Sequence, residues 1–565
     1  MKPLSAKPRR AGFTRSRTGC RTCRTRRIKC DETPGSCRNC TSTGRRCDGY
    51  DSYQQLFLST NGEKLNYRRD PLPVVAGPVT VAVPWASTSD ERRCFSFVQA
   101  RTLPDALSFF DSAVWQQFLL QMVPREPAVW HAVVALGAVH QQVEAGGVIG
   151  RASQFWYWVA VAQSARAFAC LRQRNPHDPQ VRDVTLLCCL LFTVVSIIWQ
   201  DYCAALQHLR AGLRILRESE PSSRSPTSRR WVAVFRHLDT QIGMDGPGLW
   251  RWGEEDEAGT LIQPAPDPWW PQPQQQQQDD KWLEPHNDPL YSARQALEPL
   301  HNRLFKFVRG CWRMSPAELQ AARTTLSAEQ LAMAAQLRPA MQLLQTLHQR
   351  DDLSPKSRHG VELLELLVIT ISLVVQTGPV HHDPEQLRRF TPQYRAVLRR
   401  IQQFIADFPG RPTVTVDLGV VPLLFIVADG CQDFRLRWEA MQALRDWPHQ
   451  EGPFHSVAVA ALLEDRMIRE LRASLRRRTA ERRLSQLGGS LLRPDAECGD
   501  GHDEEARLEE QLREELAAIT APKEGAGSRS PDKAREQEAH VAWFWRQVRR
   551  SNDHWGLAGK VKNLA

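Results

Sequence analysis

Six cysteines, Cys20, Cys23, Cys30, Cys37, Cys40 and Cys47, read C-x2-C-x6-C-x6-C-x2-C-x6-C. Thiolates are soft metal ligands, and a two-residue gap lets both sulfurs of a pair face one ion, as structural zinc sites use it. The pattern divides into two copies of one unit, C-x2-C-x6-C, joined by the six residues from Asp31 to Ser36. Because the third cysteine recurs in both copies, Cys30 and Cys47 belong to the pattern. Two tetrahedral ions with separate ligand sets need more sulfurs than these six, so two thiolates would have to bridge. Other readings stay open. Cys20, Cys23, Cys37 and Cys40 alone, spaced C-x2-C-x13-C-x2-C, would suffice for one zinc. Three disulfides would need an oxidising compartment, against which stand eight further scattered cysteines and no secretory leader. An iron–sulfur cluster would use thiolates too, but the usual close run is missing. The two-metal reading leads.

The gaps between the cysteines are basic. RTRRIK, between Cys23 and Cys30, supplies Arg24, Arg26, Arg27 and Lys29, and TSTGRR, between Cys40 and Cys47, supplies Arg45 and Arg46. Residues 1–47 hold 14 Lys or Arg against Asp31 and Glu32, while the rest of the 565-residue chain is nearly balanced at 60 basic and 61 acidic side chains. The net charge of +11 therefore sits in one small block. Such a block is the footprint of a nucleic-acid binder, because neutralised phosphates release counterions. Each segment is expected to form about two helical turns. The first, more basic, is the better candidate for the major groove, where Arg and Lys donate to guanine O6 and N7 at about 1–3 kcal/mol of discrimination per bidentate contact. The second is better suited to phosphates.

From Gly19 to Tyr50 the chain closely resembles the fungal Zn(2)-C6 binuclear cluster of transcription factors, matching its GCxxCRxRRxKCDE…CxxC…C pattern. The resemblance implies two zinc ions per chain, with Cys20 and Cys37 as bridging ligands. Cys23 and Cys30 would complete one site, Cys40 and Cys47 the other. It also implies double-stranded DNA as partner, with CGG-type triplets read through Arg26, Arg27 and Lys29. Arg26 and Arg27 stand where relatives often carry lysine, and the two cations differ in hydrogen-bonding geometry. Relatives usually have proline two residues before the fourth cysteine; here that place is Gly35 and the proline is Pro34, a pair that still makes a turn. Related proteins often dimerise. Asp51 to Ser89 holds no sustained apolar heptad and is broken by Pro71, Pro73, Pro78 and Pro84, so a coiled-coil dimer is not supported; homodimer and monomer both remain open.

Around this module the chain must supply a scaffold, and its pattern is helical. In FFDSAVWQQFLLQMV, Phe110, Val114, Trp115, Phe118, Leu119 and Met122 line one helical face. AVWHAVVALGAVHQQ and VELLELLVITISLVV repeat the periodicity, with few strand signals. The expectation is an all-α protein, a small zinc module plus a large helical domain of stacked hairpins. The segments FFDSAVWQQFLLQMVPREPAVWHAVVALGAVH, AALQHLRAGLRIL, FRHLD and VVPLLFIVADGCQDFRLRWEAMQAL also resemble, in that order, the regulatory domain behind the cluster in many fungal transcription factors. SIIWQDY departs from the acidic, glycine-containing turn usual there.

The expected domains are the zinc cluster at 1–50, a linker at 51–90 and the helical regulatory domain at 91–478. Low-complexity insertions are expected near 220–230 and 263–280, a flexible charged segment at 479–540 and a helix at 541–565. ARLEEQLREELAAI, from Ala506, reads as a solvated acidic helix. The longest near-continuous apolar run, Val184 to Trp199, contains Thr193 and Ser196 and reads as a buried helix in a soluble protein. No catalytic residue is assigned. His381, His382 and Asp383 sit between Pro379 and Pro384 as a loop, and no enzyme motif stands in a supporting context. The expectation is a zinc-dependent, sequence-specific regulator of RNA polymerase II transcription in a fungal nucleus, for a metabolic or secondary-metabolite pathway, whose helical domain receives a signal or co-regulator. The alternative is a helical ligand-binding or scaffold protein whose zinc module contacts RNA or protein.

Overall fold

The computed structural model describes residues 83–85, 87–112, 114–145, 151–218, 226–244, 289–408, 410–487 and 501–521. In the cysteine module it describes Cys20, Thr22, Cys23, Arg26, 28–31, 37–45 and Cys47. Its segments cluster into two units, Met1–Thr102 with Leu120–Pro176, and Leu103–Leu119 with His177–Ala565. Both are helical, as the periodicity demands. The cysteine module contains one short helix, α1 (Arg38–Thr41).

In the first unit the main helices are α2 (Ser89–Phe97), α3 (Pro127–Glu144) and α4 (Arg151–Arg172). Thr88 and Glu91 form a reciprocal capping box that starts α2 and satisfies two of its orphan backbone donors. The same Glu91 carboxylate is buried and accepts hydrogen bonds from Gln163 (2.8 Å) and Arg166 (2.7 Å), tying α2 to α4. α3 is apolar on nearly all sides, and its Gly137 lets α2 approach. A Cβ there would lie 2.7 Å from the Cys94 carbonyl oxygen.

The second unit holds α5 (Val181–Ile198), α6 (Tyr202–Glu218), α7 (Pro226–Met244), α8 (Pro289–Arg313), α9 (Arg323–His348) and α10 (Pro355–Thr377). It continues through α11 (Thr391–Asp407), α12 (Val421–Gly430), α13 (Phe434–Asp446), α14 (Ser456–Leu487) and α15 (Gly501–Thr520). A continuous apolar core runs from Phe109 and Phe110 through α8 to α13 and ends at Met467 of α14. α5 and α6 form a hairpin whose turn places Gln200 at φ 59°, the left-handed conformation. There Asp201 N donates to Ser196 O at 2.9 Å, closing the helix end that the atypical SIIWQDY turn leaves. Among the described residues the strands are β1 (Val414–Thr415), β2 (Gln450–Glu451) and β3 (Phe454–His455), β1 parallel and β3 antiparallel to β2. Glu451 is fully buried and accepts from the backbone N–H groups of Gly419, Val420 and Val421 at the start of α12, at 2.8–2.9 Å. A carboxylate is favoured at that helix end.

α5 and the stretch Pro355–Val380 are long and apolar enough to cross a bilayer, yet they are 78% and 67% buried within the protein, so the expected buried helix at Val184–Trp199 is what the structure holds. Several expectations change. The insertion expected at 220–230 becomes helical from Pro226. Within 479–540, expected to be flexible, α14 continues to Leu487 and α15 forms a docked helix. Its Leu508 and Leu512 are buried with Leu471 and Leu475, and Arg472–Glu509 and Arg478–Glu515 pair at 2.9 Å. The 263–280 insertion, most of the 51–90 linker and the expected helix at 541–565 lie outside the described residues. Asp383 caps the short helix Pro384–Arg388, while His381 and His382 bond the carbonyls of Gly378 and Met314, so this trio serves the turn it sits in.

Candidate metal centre

Cys20, Cys23, Cys37 and Cys40 are fully buried and Cys30 is nearly so, with Cys47 packed against them. The Cys20 and Cys37 sulfurs lie 3.6 Å apart, Cys23 and Cys37 3.5 Å, Cys20 and Cys40 3.7 Å, and Cys23 and Cys40 3.8 Å. Those separations exceed a disulfide bond of about 2 Å. The Cys20–Cys37, Cys23–Cys37 and Cys20–Cys40 separations match the roughly 3.8 Å between sulfurs that share one tetrahedral zinc at ordinary Zn–S lengths. Two quartets have every sulfur within 4.8 Å of the others, Cys20 with Cys23, Cys30 and Cys37, and Cys20 with Cys37, Cys40 and Cys47. Cys20 and Cys37 are common to both.

The local backbone repeats as the sequence does. Cys20 N donates to Cys30 Sγ at 3.3 Å, and its counterpart Cys37 N donates to Cys47 Sγ at 3.4 Å. Each bond folds the third cysteine of a unit back onto the first. Burial pushes the thiols of Cys20, Cys23 and Cys37 upward from their ordinary range. Packed sulfurs cannot all ionise without a cation among them. The chemistry of the donor set thus fits a thiophilic dication.

The helical turns begin inside the C-x2-C pairs rather than after them. Thr22 and Cys23 are helical and Arg26 N bonds Thr22 O at 3.1 Å, while α1 spans Arg38–Thr41, nearer one turn than the expected two. Gly44, at φ 62°, takes the left-handed turn that follows α1. Lys29 and Arg45 are exposed, whereas Arg26 is half-buried; Arg24, Arg27 and Arg46, like Pro34 and Gly35, lie outside the described residues. Sequence reasoning missed Asp31 and Asn39. Asp31 accepts from the N–H groups of Arg38 (3.0 Å) and Asn39 (3.2 Å) at the start of α1, and Asn39 Nδ2 donates to Lys29 O at 2.8 Å. An acid just after the third cysteine is the one signal that could have pointed to this cap.

Residues 18–55 match the family described as fungal Zn(2)-Cys(6) binuclear cluster domain, and residues 100–238 match the fungal specific transcription factor domain. The cluster domain binds two zinc ions. The chain is 30% identical over 230 residues, 36% of its length and 35% of the relative's, to the aspercryptin biosynthesis cluster-specific transcription regulator atnN of Emericella nidulans. It is 28% identical over 206 residues, 34% of its length and 48% of the relative's, to transcription regulator lscL of Purpureocillium lilacinum. It is 42% identical over 79 residues, 14% of its length and 15% of the relative's, to transcriptional regulatory protein moc3 of Schizosaccharomyces pombe. The matches to the first two relatives thus span between a third and a half of their length. No solved structure matches the chain. With the sulfur cluster at 20–47 and helical units after it in sequence, the chain carries a fungal Zn(2)-Cys(6) binuclear cluster domain followed by a fungal specific transcription factor domain.

Proposed function

We propose that the chain is a zinc-dependent, sequence-specific DNA-binding regulator of RNA polymerase II transcription in a fungal nucleus, acting on a secondary-metabolite pathway. The observation that carries this reading is the pair of overlapping sulfur quartets, which ties two basic segments to one small scaffold. Cys20 and Cys37 are the shared ligands, with Cys23 and Cys30 on one side and Cys40 and Cys47 on the other. Bound zinc supplies the cross-link that fixes the fold of this module. The chain's own residues do the reading. Lys29 enters the major groove and donates to guanine edges and Arg45 contacts phosphates, with Arg24, Arg27 and Arg46 of the same two segments assigned from sequence alone. Asp31 holds the start of α1 in place so that both segments meet the duplex together. The helical units receive a co-regulator or signal. The pathway assignment rests on the name of the Emericella nidulans relative.

Selection from random duplex DNA with the zinc-loaded full chain tests the reading. An enriched site built on a CGG-type triplet, lost in the Cys37→Ser variant, is the expected result. Salt-dependent binding to random RNA with no enriched DNA site would instead mean that the module contacts RNA.

A further inference from the structure

When the two C-x2-C-x6-C units are superposed by sequence, Arg26 and Thr43 fall at the same place, six residues after the first cysteine of each unit. In the structure these two residues touch. Arg26 Nη1 donates to Thr43 Oγ1 at 3.2 Å and to the Asn39 carbonyl at 3.2 Å. The Thr43 hydroxyl in turn lies 2.9 Å from that same carbonyl, to which it donates. Asn39 sends its side-chain amide back to Lys29 O at 2.8 Å and its backbone N–H to Asp31. One residue of the second unit is thus gripped from three places in and just beyond the first.

Arg26 also differs from its basic neighbours in burial: it is half-buried, while Lys29, Arg38 and Arg45 are exposed. A guanidinium presents a planar fork of donors, which lets it hold a carbonyl and a hydroxyl at once. Turning it toward a base edge would break both bonds and leave a half-buried carbonyl with one donor fewer. Lys29, whose carbonyl Asn39 holds, keeps its ammonium outside. The network therefore uses one cation to aim another.

We infer that Arg26 is a positioning residue for DNA reading: it locks the second unit against the first through Asn39 and Thr43 and so orients Lys29 toward the groove, without contacting a base or a phosphate. This rests on the DNA-binding reading above. It separates Arg26 from Arg27 and Lys29, with which sequence reasoning groups it.

The test measures binding of the full zinc-loaded chain to its selected DNA site and to random duplex over a range of salt, for Arg26→Ala, Arg26→Lys, Thr43→Val and the Arg26→Ala/Thr43→Val double variant. Arg26→Ala should weaken specific binding about tenfold, the equivalent of one or two lost hydrogen bonds. Random-duplex binding, the salt slope and the order of base preference should not change. Thr43→Val, which removes no charge, should lose specific affinity in the same sense, and the double variant should lose no more than Arg26→Ala alone. Arg26→Lys should recover part of the loss. Three results would overturn the inference: a salt slope smaller by about one, which marks a phosphate contact; relaxed preference confined to one base position, which marks a base contact; or Thr43→Val binding as the unchanged chain does. If Arg26→Ala fails to hold zinc, the Thr43→Val result decides alone. Failure of the unchanged chain to select any DNA site would refute the parent reading instead.

Discussion

At the scale of single residues, the geometry ranks the six cysteines. Cys20 and Cys37 stand in both sulfur quartets, while Cys47 stands in one and is the least buried. Removing a shared ligand should therefore disturb two ions and removing Cys47 only one. Metal analysis should give well under one zinc per chain for Cys37→Ser and about one for Cys47→Ser. Equal losses in both variants would break the bridged arrangement. His140, in the first unit, makes a second case. It is fully buried on α3, its Nδ1 3.0 Å from Thr102 Oγ1, and burial holds its pKa down at about 4. The unfolded chain binds a proton at this residue near the ordinary pKa of about 6.5, so between these values U holds more protons than N and stability falls with acid. Shifting from pH 7 to pH 5 should cost about 2 kcal/mol through His140 alone. Thermal melts of His140→Gln should show that much less acid sensitivity than the unchanged chain; identical sensitivity would mean the ring is protonated in place. The cysteine spacing is legible in the sequence because metal ligands recur at fixed local intervals. The Asp31–Asn39–Arg26 network is not, since its bonds join side chains to backbone atoms that only the folded loops bring together.

Among the elements, periodicity reveals where helices are but not what their ends and outer faces meet. The apolar face expected from Ala128 onward does lie in one helix, α3, with a buried side, whereas the face expected at Phe110–Met122 is broken: Phe110 sits in a bend, Val114–Phe118 is π-helical and only Leu119–Met122 is α-helical. Docking of α15 was hidden because its heptad-poor, acidic sequence reads as solvated until the partner is known. Leu471 and Leu475 of α14 supply the apolar stripe it needs, and Arg435 caps its C-terminal end by donating to Ile519 O and Ala521 O. The α5–α6 turn shows the same limit in reverse. Gln200 is a poor choice for a left-handed position, and its Oε1 is buried with no partner among the described residues. Local strain and an unsatisfied acceptor are tolerated there because α5 is buried along most of its length. Gln200→Gly should relieve both and raise stability by about 1 kcal/mol, seen as a higher Tm. A fall in Tm would show that the amide makes a contact worth more than the strain.

Across the whole molecule, two different kinds of core hold the chain together. Among the described residues of the cysteine module, the buried cluster consists of cysteines alone, with no apolar side chain among them. Such a module cannot repay its conformational entropy by apolar burial, so the metal is its core. In the second unit the core is an extended set of leucine, valine, isoleucine and aromatic side chains, with Trp447 stacked between Phe408 and His449. Charge divides the same way, since the excess of positive charge sits with the metal-dependent part at residues 1–47. These two asymmetries make one prediction. Stripping zinc with a strong chelator should abolish binding to the selected DNA site while leaving the far-UV circular dichroism of the helices nearly unchanged. Adding zinc back should restore binding in proportion to metal taken up. A large drop in helical signal on chelation would mean that metal also supports the helical units, contrary to a core built from apolar side chains. DNA binding that survives complete zinc removal would mean that the basic block acts through charge alone, in which case affinity would follow salt and ignore sequence.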